Sequence, residues 1–210
     1  MGGGSVSGVW SSYFGSSLSY ASSDGTAAAS SPQTLQDMVI ENEVILFSGK
    51  QCSGENGDCG YYRPGTVAYH GFGGAQKIFL LEFGMPSTGS TNEPAIWLLN
   101  ALIPRTQQYG SCTCWGNTAG CGELDLFETL SNGSTYMTSS IHGVQAGGDS
   151  DYTLRPTSGT MKAAVVLNND VLQITVLPSS FTFPTTMTAA QYASLMSPSS
   201  GTDSVVTLSS

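Results

Sequence analysis

Residues 122–130 read GELDLFETL, and their acidic and apolar side chains alternate. Alternation with a period of two predicts a β-strand that buries one face and exposes the other. Glu123 and Asp125 then share one face, while the leucines between and after them share the opposite face. Strict alternation would turn Glu128 away from Glu123, so we predict a β-bulge at Phe127, which adds one residue and brings all three carboxylates to the same side.

Further strands are predicted on both sides of this stretch. Short apolar runs punctuated by Gly, Pro, Ser and Thr are typical of strands in an antiparallel fold. They occupy residues 43–48, 76–83, 95–102, 136–144, 161–168 and 171–177. A helical pattern occurs only at residues 188–196, where Thr188 can cap the first turn. The chain is therefore predicted to be all-β, a sandwich or barrel of antiparallel strands.

Composition limits the size and the partners of the protein. The chain has 210 residues, which suits one domain over residues 1–210, and 40% of them are hydrophobic, which is enough for a core. It carries 15 acidic and 6 basic residues, a net charge of -9. This balance cannot neutralise a run of phosphates, so nucleic acid is excluded as a partner. No stretch reaches the roughly 18 continuous apolar residues of a membrane span, and we expect a monomer that works in water.

The cysteines, together with few lysines and many Ser and Thr residues, indicate an oxidising, extracellular environment. Cys52 and Cys59 are close enough in sequence to staple a loop. The other three form a second cluster: Cys112, Cys114 and Cys121. For this second cluster, zinc ligation stays open as an alternative to disulfides. Residues 1–7 are expected to be an appended or disordered extension, on a chain cut from a secreted precursor that holds a partner for the odd cysteine.

Three carboxylates on one face repel each other, which favours a role in chemistry or in the binding of a cation. Glycoside hydrolysis uses two carboxyl groups: one attacks the sugar, and the other donates a proton to the leaving oxygen and then activates water. The middle residue, Asp125, can hydrogen-bond the nucleophile and keep the pKa of the acid high. A solvated acidic face and a calcium site made of the same oxygens stay open as alternatives.

Three motifs, in order along the chain, resemble the laminarinase-like glycoside hydrolases of family 16. ELDLFE at residues 123–128 has the Glu-x-Asp-x-x-Glu form of the active-site strand in that family. PAIWLL at 94–99 resembles its Pro-Ala-x-Trp-Leu-Leu strand, and IHG at 141–143 resembles the His-Gly strand beside the catalytic one. Longer stretches are similar to the C-terminal domain of fungal cell-wall proteins described as glucan endo-1,3-β-glucosidases. These stretches are residues 8–25, 59–83, 94–110 and 112–128.

The resemblance implies a concanavalin-like β-jelly roll sandwich of two antiparallel sheets. It also implies a retaining, endo-acting β-1,3-glucan hydrolase that is secreted or located in the cell wall. By position, it implies Glu123 as the nucleophile, Glu128 as the acid/base and Asp125 as the assisting carboxylate. Trp97 corresponds to the aromatic residue that flanks the cleft, and His142 to the histidine near the acid/base. No cofactor and no metal are expected.

Three further residues are candidates for binding the β-glucan. Tyr109 and Trp115 lie in the segment before the catalytic strand, and aromatic rings stack on the C–H faces of sugars. Asn100 stands where a Pro often follows Trp-Leu-Leu in laminarinases. Core packing stays open as an alternative for Trp97, and a purely structural role stays open for His142.

Other functions stay open beside hydrolysis. A transglycosylase would form the same covalent intermediate but pass it to a sugar hydroxyl instead of water. A non-catalytic glucan-binding wall protein could use the same fold, although it would not need an intact Glu-x-Asp-x-x-Glu. A structural wall component, with calcium on the acidic strand, is a weaker alternative.

Overall fold

A computed structural model describes residues 18–22, 26–28, 43–87, 93–106, 122–143, 150–184, 186–197 and 203–207. These residues form ten strands and two short helices. In chain order they are β1 (Leu18–Ser22), β2 (Val44–Ser48), β3 (Gln76–Phe83), β4 (Ala95–Leu99), α1 (Leu102–Thr106), β5 (Glu123–Glu128), β6 (Tyr136–His142), β7 (Ser150–Leu154), β8 (Met161–Asn168), β9 (Val171–Leu177), α2 (Ala189–Met196) and β10 (Asp203–Thr207). Within these ranges, no helix has the length and apolar character needed to cross a membrane.

Contacts divide the chain into two compact units. The first unit consists of Met1–Gly73, Leu99–Gly122 and Gly143–Gln145, and the second of Gly74–Leu98, Glu123–His142 and Ala146–Ser210. Each is described by itself below. The single domain over residues 1–210 stays a prediction.

The first unit contains a two-stranded antiparallel sheet of β1 and β2, followed by a stapled loop. The predicted disulfide between Cys52 and Cys59 is confirmed. Inside the loop, the Asp58 carboxylate accepts hydrogen bonds from the backbone N–H and the hydroxyl of Ser53, at 2.8 and 2.9 Å. Nε2 of His70 lies 2.9 Å from the same carboxylate. The Ser53 backbone N–H and His70 are the largest causes that hold the pKa of Asp58 below its usual range.

The second unit is a sandwich of two four-stranded antiparallel sheets, with strand orders β10-β9-β8-β3 and β4-β5-β6-β7. The core lies between the sheets. Leu126 and Phe127 of β5 and Met137 of β6 form one apolar cluster with Val165 of β8 and Ile174 of β9. Removal of such side chains from water, at roughly 25 cal/mol per Å² of apolar surface, is the main force that holds the sheets together. The predicted all-β sandwich of two antiparallel sheets is confirmed.

Strand β8 is buried on both faces, which explains why it is apolar without interruption. Ala163 faces the core between the sheets, whereas Ala164 packs with Leu195 of α2 on the other side. Helix α2 begins as predicted. The Thr188 side chain accepts a hydrogen bond from the backbone N–H of Gln191, whose side chain accepts one from the backbone N–H of Thr188 at 2.8 Å. This reciprocal pair satisfies two donors at the helix start.

The strand predicted at residues 95–102 is wrong at its C-terminal end, because β4 ends before Asn100 and α1 follows. The side-chain oxygen of Asn100 accepts a hydrogen bond from the backbone N–H of Leu102 at 3.0 Å. Its backbone carbonyl accepts another from Ile103 at 2.9 Å. An Asn side chain competes in this way with the strand ladder, and so the apolar run continues as a helix.

Three strands were not predicted: β1, β7 and β10. Their sequences, LSYAS, SDYTL and DSVVT, are rich in small polar residues and have a weak alternation. Each pairs along its length with a neighbouring strand, β2, β6 and β9 respectively. Strand formation here depends on the partner strand more than on the propensity of the segment itself.

Candidate active site

The acidic strand β5 contains the predicted β-bulge. In its antiparallel pairing with β6, Asp125 lies opposite Ser140, and Glu128 lies opposite Thr138. From the first pair to the second, β5 advances by three residues while β6 advances by two. One extra residue therefore lies between Asp125 and Glu128. It places Glu128 on the same face as Asp125, whereas strict alternation would place it on the opposite face.

The bulge sends two consecutive apolar side chains of β5 into the core. Leu126 is 2% exposed and Phe127 is 0% exposed, and both belong to the cluster between the sheets. Because both lie on the inner side, Glu123, Asp125 and Glu128 share the outer face of the sheet. Three carboxylates are thus gathered by local chain geometry on one strand.

Sequence analysis missed Ser139, the residue of β6 that lies opposite the bulge. Its hydroxyl donates a hydrogen bond of 2.6 Å to the backbone carbonyl of Leu126, and the Ser139 side chain is buried. A bulge disrupts the ladder of backbone hydrogen bonds, and this hydroxyl supplies a donor where the ladder is interrupted. No local signal marks Ser139, because serine is frequent throughout the chain.

The side chains of His142 and Asp125 are in direct contact. Nε2 of His142 lies 3.0 Å from Oδ2 of Asp125, within hydrogen-bond distance. One carboxylate oxygen of Glu123, one of Asp125 and one ring nitrogen of His142 all lie within 4.8 Å of one another. The ring thus contacts the middle carboxylate of the three, and its role near the acid/base stays a prediction.

Burial and mutual repulsion raise the pKa values of two of these carboxyl groups. Asp125 is only 4% exposed, and this burial, followed by the charges of Glu128 and Glu123, raises its pKa to about 6, while His142 acts in the opposite direction. Burial also raises the pKa of Glu128. The charges of Glu123 and Glu93 raise it further, whereas the charge of His142 lowers it. The site therefore retains protons at a pH where ordinary carboxyl groups have lost them.

Trp97 lies on β4, the strand next to β5 in the sheet. Its neighbours Ile96 and Leu98 pack against the core, so alternation places Trp97 on the outer face, the same face as the carboxylates. The backbone N–H of Thr129 donates to the carbonyl of Pro94 at 3.1 Å, which sets the start of β4 beside the end of β5. Core packing as the alternative for Trp97 is thus disfavoured, and its contact with a sugar stays a prediction.

The other predicted binding residues are Asn100, Tyr109 and Trp115. The side-chain oxygen of Asn100 is engaged at the start of α1. Tyr109 and Trp115 lie outside the described residues, as does the second cysteine cluster. Whether these residues bind glucan stays a prediction.

Two groups of side chains in the described ranges have the spacing of metal ligands. One is the set Glu123, Asp125 and His142. The other, in the first unit, is Cys52, Asp58, Cys59 and His70. In the second group the two sulfurs are joined as a disulfide, so they do not offer thiolates to a metal. In the first group, one nitrogen and carboxylate oxygens would suit a transition metal better than calcium, which takes oxygen ligands alone.

Comparison with known proteins places this chain in a family. A family model described as "Cell wall protein YJL171C/Tos1, C-terminal" matches residues 1–195. "Probable circularly permuted 1,3-beta-glucanase TOS1" of Saccharomyces cerevisiae is 55% identical over 195 residues, which cover 89% of this chain and 42% of that protein. The protein of the same name in Candida albicans is 53% identical over 190 residues, 82% of this chain and 40% of that protein.

A further relative, "Probable circularly permuted 1,3-beta-glucanase PGA52" of Candida albicans, is 39% identical over 222 residues, 94% of this chain and 57% of that protein. The chain thus spans about two fifths of the length of the TOS1 relatives that it matches. No solved structure matches it. Since the family model covers nearly the whole chain, the protein belongs to the family of the C-terminal region of the cell wall protein YJL171C/Tos1.

Proposed function

We propose that this chain carries the catalytic site of a cell-wall enzyme that hydrolyses internal β-1,3 linkages of glucan with retention of configuration. The observation that carries the proposal is the outer face of β5, where a bulge aligns Glu123, Asp125 and Glu128. Retaining glycosidases need a nucleophilic carboxylate and a second carboxyl group that starts protonated. This face offers both kinds of group on one short, rigid element.

In the first step, Glu123 attacks the anomeric carbon while the glycosidic bond breaks and Glu128 gives its proton to the leaving oxygen. In the second step, Glu128 takes a proton from water, the water oxygen bonds to the anomeric carbon, and Glu123 is released. The raised pKa of Glu128 favours its role as the acid, because a general acid must hold its proton at the working pH.

Asp125 is suited to assist the nucleophile. An oxygen of Glu123 lies within 4.8 Å of an oxygen of Asp125, and Asp125 has a pKa of about 6. When protonated, Asp125 can donate a hydrogen bond to the Glu123 carboxylate and hold its orientation. His142, whose Nε2 lies 3.0 Å from Oδ2 of Asp125, helps to hold the orientation of Asp125.

The names of the relatives support the substrate, since the three described above are each called a "Probable circularly permuted 1,3-beta-glucanase". The family description supports a location in the cell wall. We propose accordingly that the chain acts outside the cell on β-glucan, as a monomer, and the mechanism above needs no cofactor.

The test is digestion of a defined β-1,3-gluco-oligosaccharide in water enriched in heavy oxygen, followed by mass spectrometry. Glu123→Gln should abolish turnover. Glu82→Gln, on the outer side of the other sheet, is the matched control and should leave turnover unchanged. We expect shorter products that carry the heavy oxygen. NMR should show that these products are first released as the β-anomer.

The other functions predict different results in the same assay. Longer products without the label would indicate that the same intermediate is used for transglycosylation instead of hydrolysis. Unchanged oligosaccharide with the wild-type protein, across β-1,3, β-1,4 and β-1,6 linkages, would contradict the catalytic proposal and favour a glucan-binding wall protein.

A further inference from the structure

Two tyrosines and a leucine on strands β6 and β7 are unusually exposed for their size. Tyr152 is 68% exposed, Leu154 is 66% exposed and Tyr136 is 53% exposed. An aromatic ring that stays in water loses the free energy that burial would provide, and a contiguous exposed apolar patch on a protein surface is frequently a binding site.

Strand register places this patch on the same face as the carboxylates. Glu128 of β5 lies opposite Thr138 of β6, and Thr138 in turn lies opposite Tyr152 of β7. Residues directly opposite in neighbouring strands project to the same face of a sheet. Glu128, Thr138 and Tyr152 therefore form one row across three strands, and the backbones of Glu128 and Tyr152 are two strand spacings apart, about 10 Å.

Tyr136 lies in the adjacent row of the same face. It is two residues before Thr138 along β6 and lies directly opposite Leu154 of β7. Tyr136 and Tyr152 are thus diagonal neighbours across the β6–β7 pair, at a separation that aromatic side chains can span. The three exposed side chains make one apolar platform, which we define as Tyr136, Tyr152 and Leu154.

The platform and Trp97 flank the carboxylates on opposite sides. The sheet order is β4-β5-β6-β7, so Trp97 on β4 lies on one side of β5, and the platform lies on the other side, on β6 and β7. A linear ligand that crosses the strands over the carboxylates would meet an aromatic surface at each end. Sugars offer flat C–H faces to such rings.

We propose that the platform of Tyr136, Tyr152 and Leu154 binds the β-glucan residue on the leaving-group side of the scissile bond. The assignment of the side rests on the function proposed above, in which Glu128 protonates the leaving oxygen. Glu128 shares its cross-strand row with Tyr152, whereas Glu123 shares its row with His142. The sugar held next to the acid/base is the one that leaves.

The same platform would hold an acceptor sugar in the second step. A bound sugar hydroxyl gives its proton to Glu128, its oxygen bonds to the anomeric carbon, and the bond to Glu123 breaks. The platform therefore favours transfer over hydrolysis whenever it is occupied.

The first test measures binding of a β-1,3-gluco-oligosaccharide by calorimetry, in the Glu123→Gln protein so that turnover does not interfere. Tyr152→Ala and Tyr136→Ala should each weaken binding about three- to tenfold, in line with the loss of one aromatic contact. Tyr152→Phe keeps the ring and should bind like its parent. Tyr192→Ala, on α2 at the outer side of the other sheet, is the matched control and should also bind like its parent.

The second test uses the wild-type catalytic residues with an excess of the same oligosaccharide as acceptor. Tyr152→Ala should lower the ratio of transfer products to heavy-oxygen-labelled products, and Tyr192→Ala should not. Unchanged thermal unfolding of Tyr152→Ala would show that the fold is intact, as its exposure leads us to expect.

The outcomes separate the two proposals. If the oligosaccharide binds and is turned over, but Tyr152→Ala and Tyr136→Ala change neither binding nor product ratio, the platform is not a sugar site and the proposed function stands. Such a result would point to a protein segment as its occupant. If the wild-type protein neither binds nor cleaves glucan, the proposed function fails and the platform proposal fails with it.

Discussion

The hydroxyl of Ser139 donates a 2.6 Å hydrogen bond to the backbone carbonyl of Leu126, across the bulge that aligns the carboxylates. Leu126 is buried, so no solvent can replace this donor at low cost. Ser139 thus supports the one irregularity of β5 on which the position of Glu128 depends. It is a positioning residue, because it acts on the backbone and not on a substrate.

Ser139→Ala should destabilise the protein by about 1–3 kcal/mol, because a buried carbonyl loses its donor. It should also lower kcat more than it changes KM, since Glu128 would be held less firmly. Urea unfolding and steady-state kinetics measure the two effects. Ser158→Ala, at an exposed serine between β7 and β8, should stay within about 0.5 kcal/mol of wild type. Equal stability of both variants would show that the Ser139 hydrogen bond is dispensable.

Asp125 should make stability depend on pH in a defined direction. Its folded pKa of about 6 lies above the ordinary value of about 3.9, so the folded protein binds this proton more tightly than the unfolded chain does. The stability contributed by protonated Asp125 is fully present below about pH 4 and is lost as the pH rises through about 6. Asp125→Asn removes this loss, so its stability relative to wild type should rise between pH 4 and 7, by at most about 3 kcal/mol.

Urea unfolding at several pH values between 4 and 7 measures this difference. Asp170→Asn, in the exposed turn between β8 and β9, is the control and should follow the wild-type curve. A constant difference between Asp125→Asn and wild type across this range would contradict the raised pKa of Asp125.

Two substitutions should move the pKa of Asp125 in opposite directions. His142→Phe removes a hydrogen bond and a charge that lower this pKa, so the pKa should rise above about 6. Glu123→Gln removes a negative charge that raises it, so the pKa should fall. Carbon NMR titration of isotopically labelled aspartate measures both shifts. The absence of both shifts would mean that burial alone sets the pKa of Asp125, and shifts of the same sign would contradict the opposite effects of His142 and Glu123.

The disulfide of the first unit should contribute measurably to stability. Cys52 and Cys59 are seven residues apart in sequence, and closing a loop of this size is worth about 2–3 kcal/mol in the chain-entropy model. The double variant Cys52→Ser, Cys59→Ser should lose about that free energy of unfolding. Adding a reductant to this variant isolates any effect of the other three cysteines. No loss in the double variant would mean that the hydrogen bonds to Asp58 hold the loop unaided.

Elements with a strong local pattern are predictable from this sequence. β3, β8 and β9 have the predicted bounds, because their apolar runs end at turn residues. α2 begins after Thr188, because a capping residue acts within one turn of chain. The weaker segments β1, β7 and β10 escape prediction, since small polar residues form strands only where a partner strand pairs with them.

The candidate site is predictable only in part, for the same reason. The alternation of β5 predicts the three carboxylates and their common face, which is a local property. Ser139 and Tyr152 escape prediction, because neither carries a signal in its own neighbourhood. The hydrogen bond that the side-chain oxygen of Asn100 accepts at the start of α1 was not predicted either, and binding of glucan by Asn100 stays a prediction.

The sequence by itself determined that one strand carries three carboxylates on one face, because alternation and a single extra residue are properties of consecutive positions. Only the tertiary structure decided what those carboxylates meet. His142 reaches Asp125, and Tyr152 joins the row of Glu128, through the registers of β5 with β6 and of β6 with β7. Register is set by the burial of whole strand faces, which involves residues far apart in the chain. It therefore cannot be predicted from any single position.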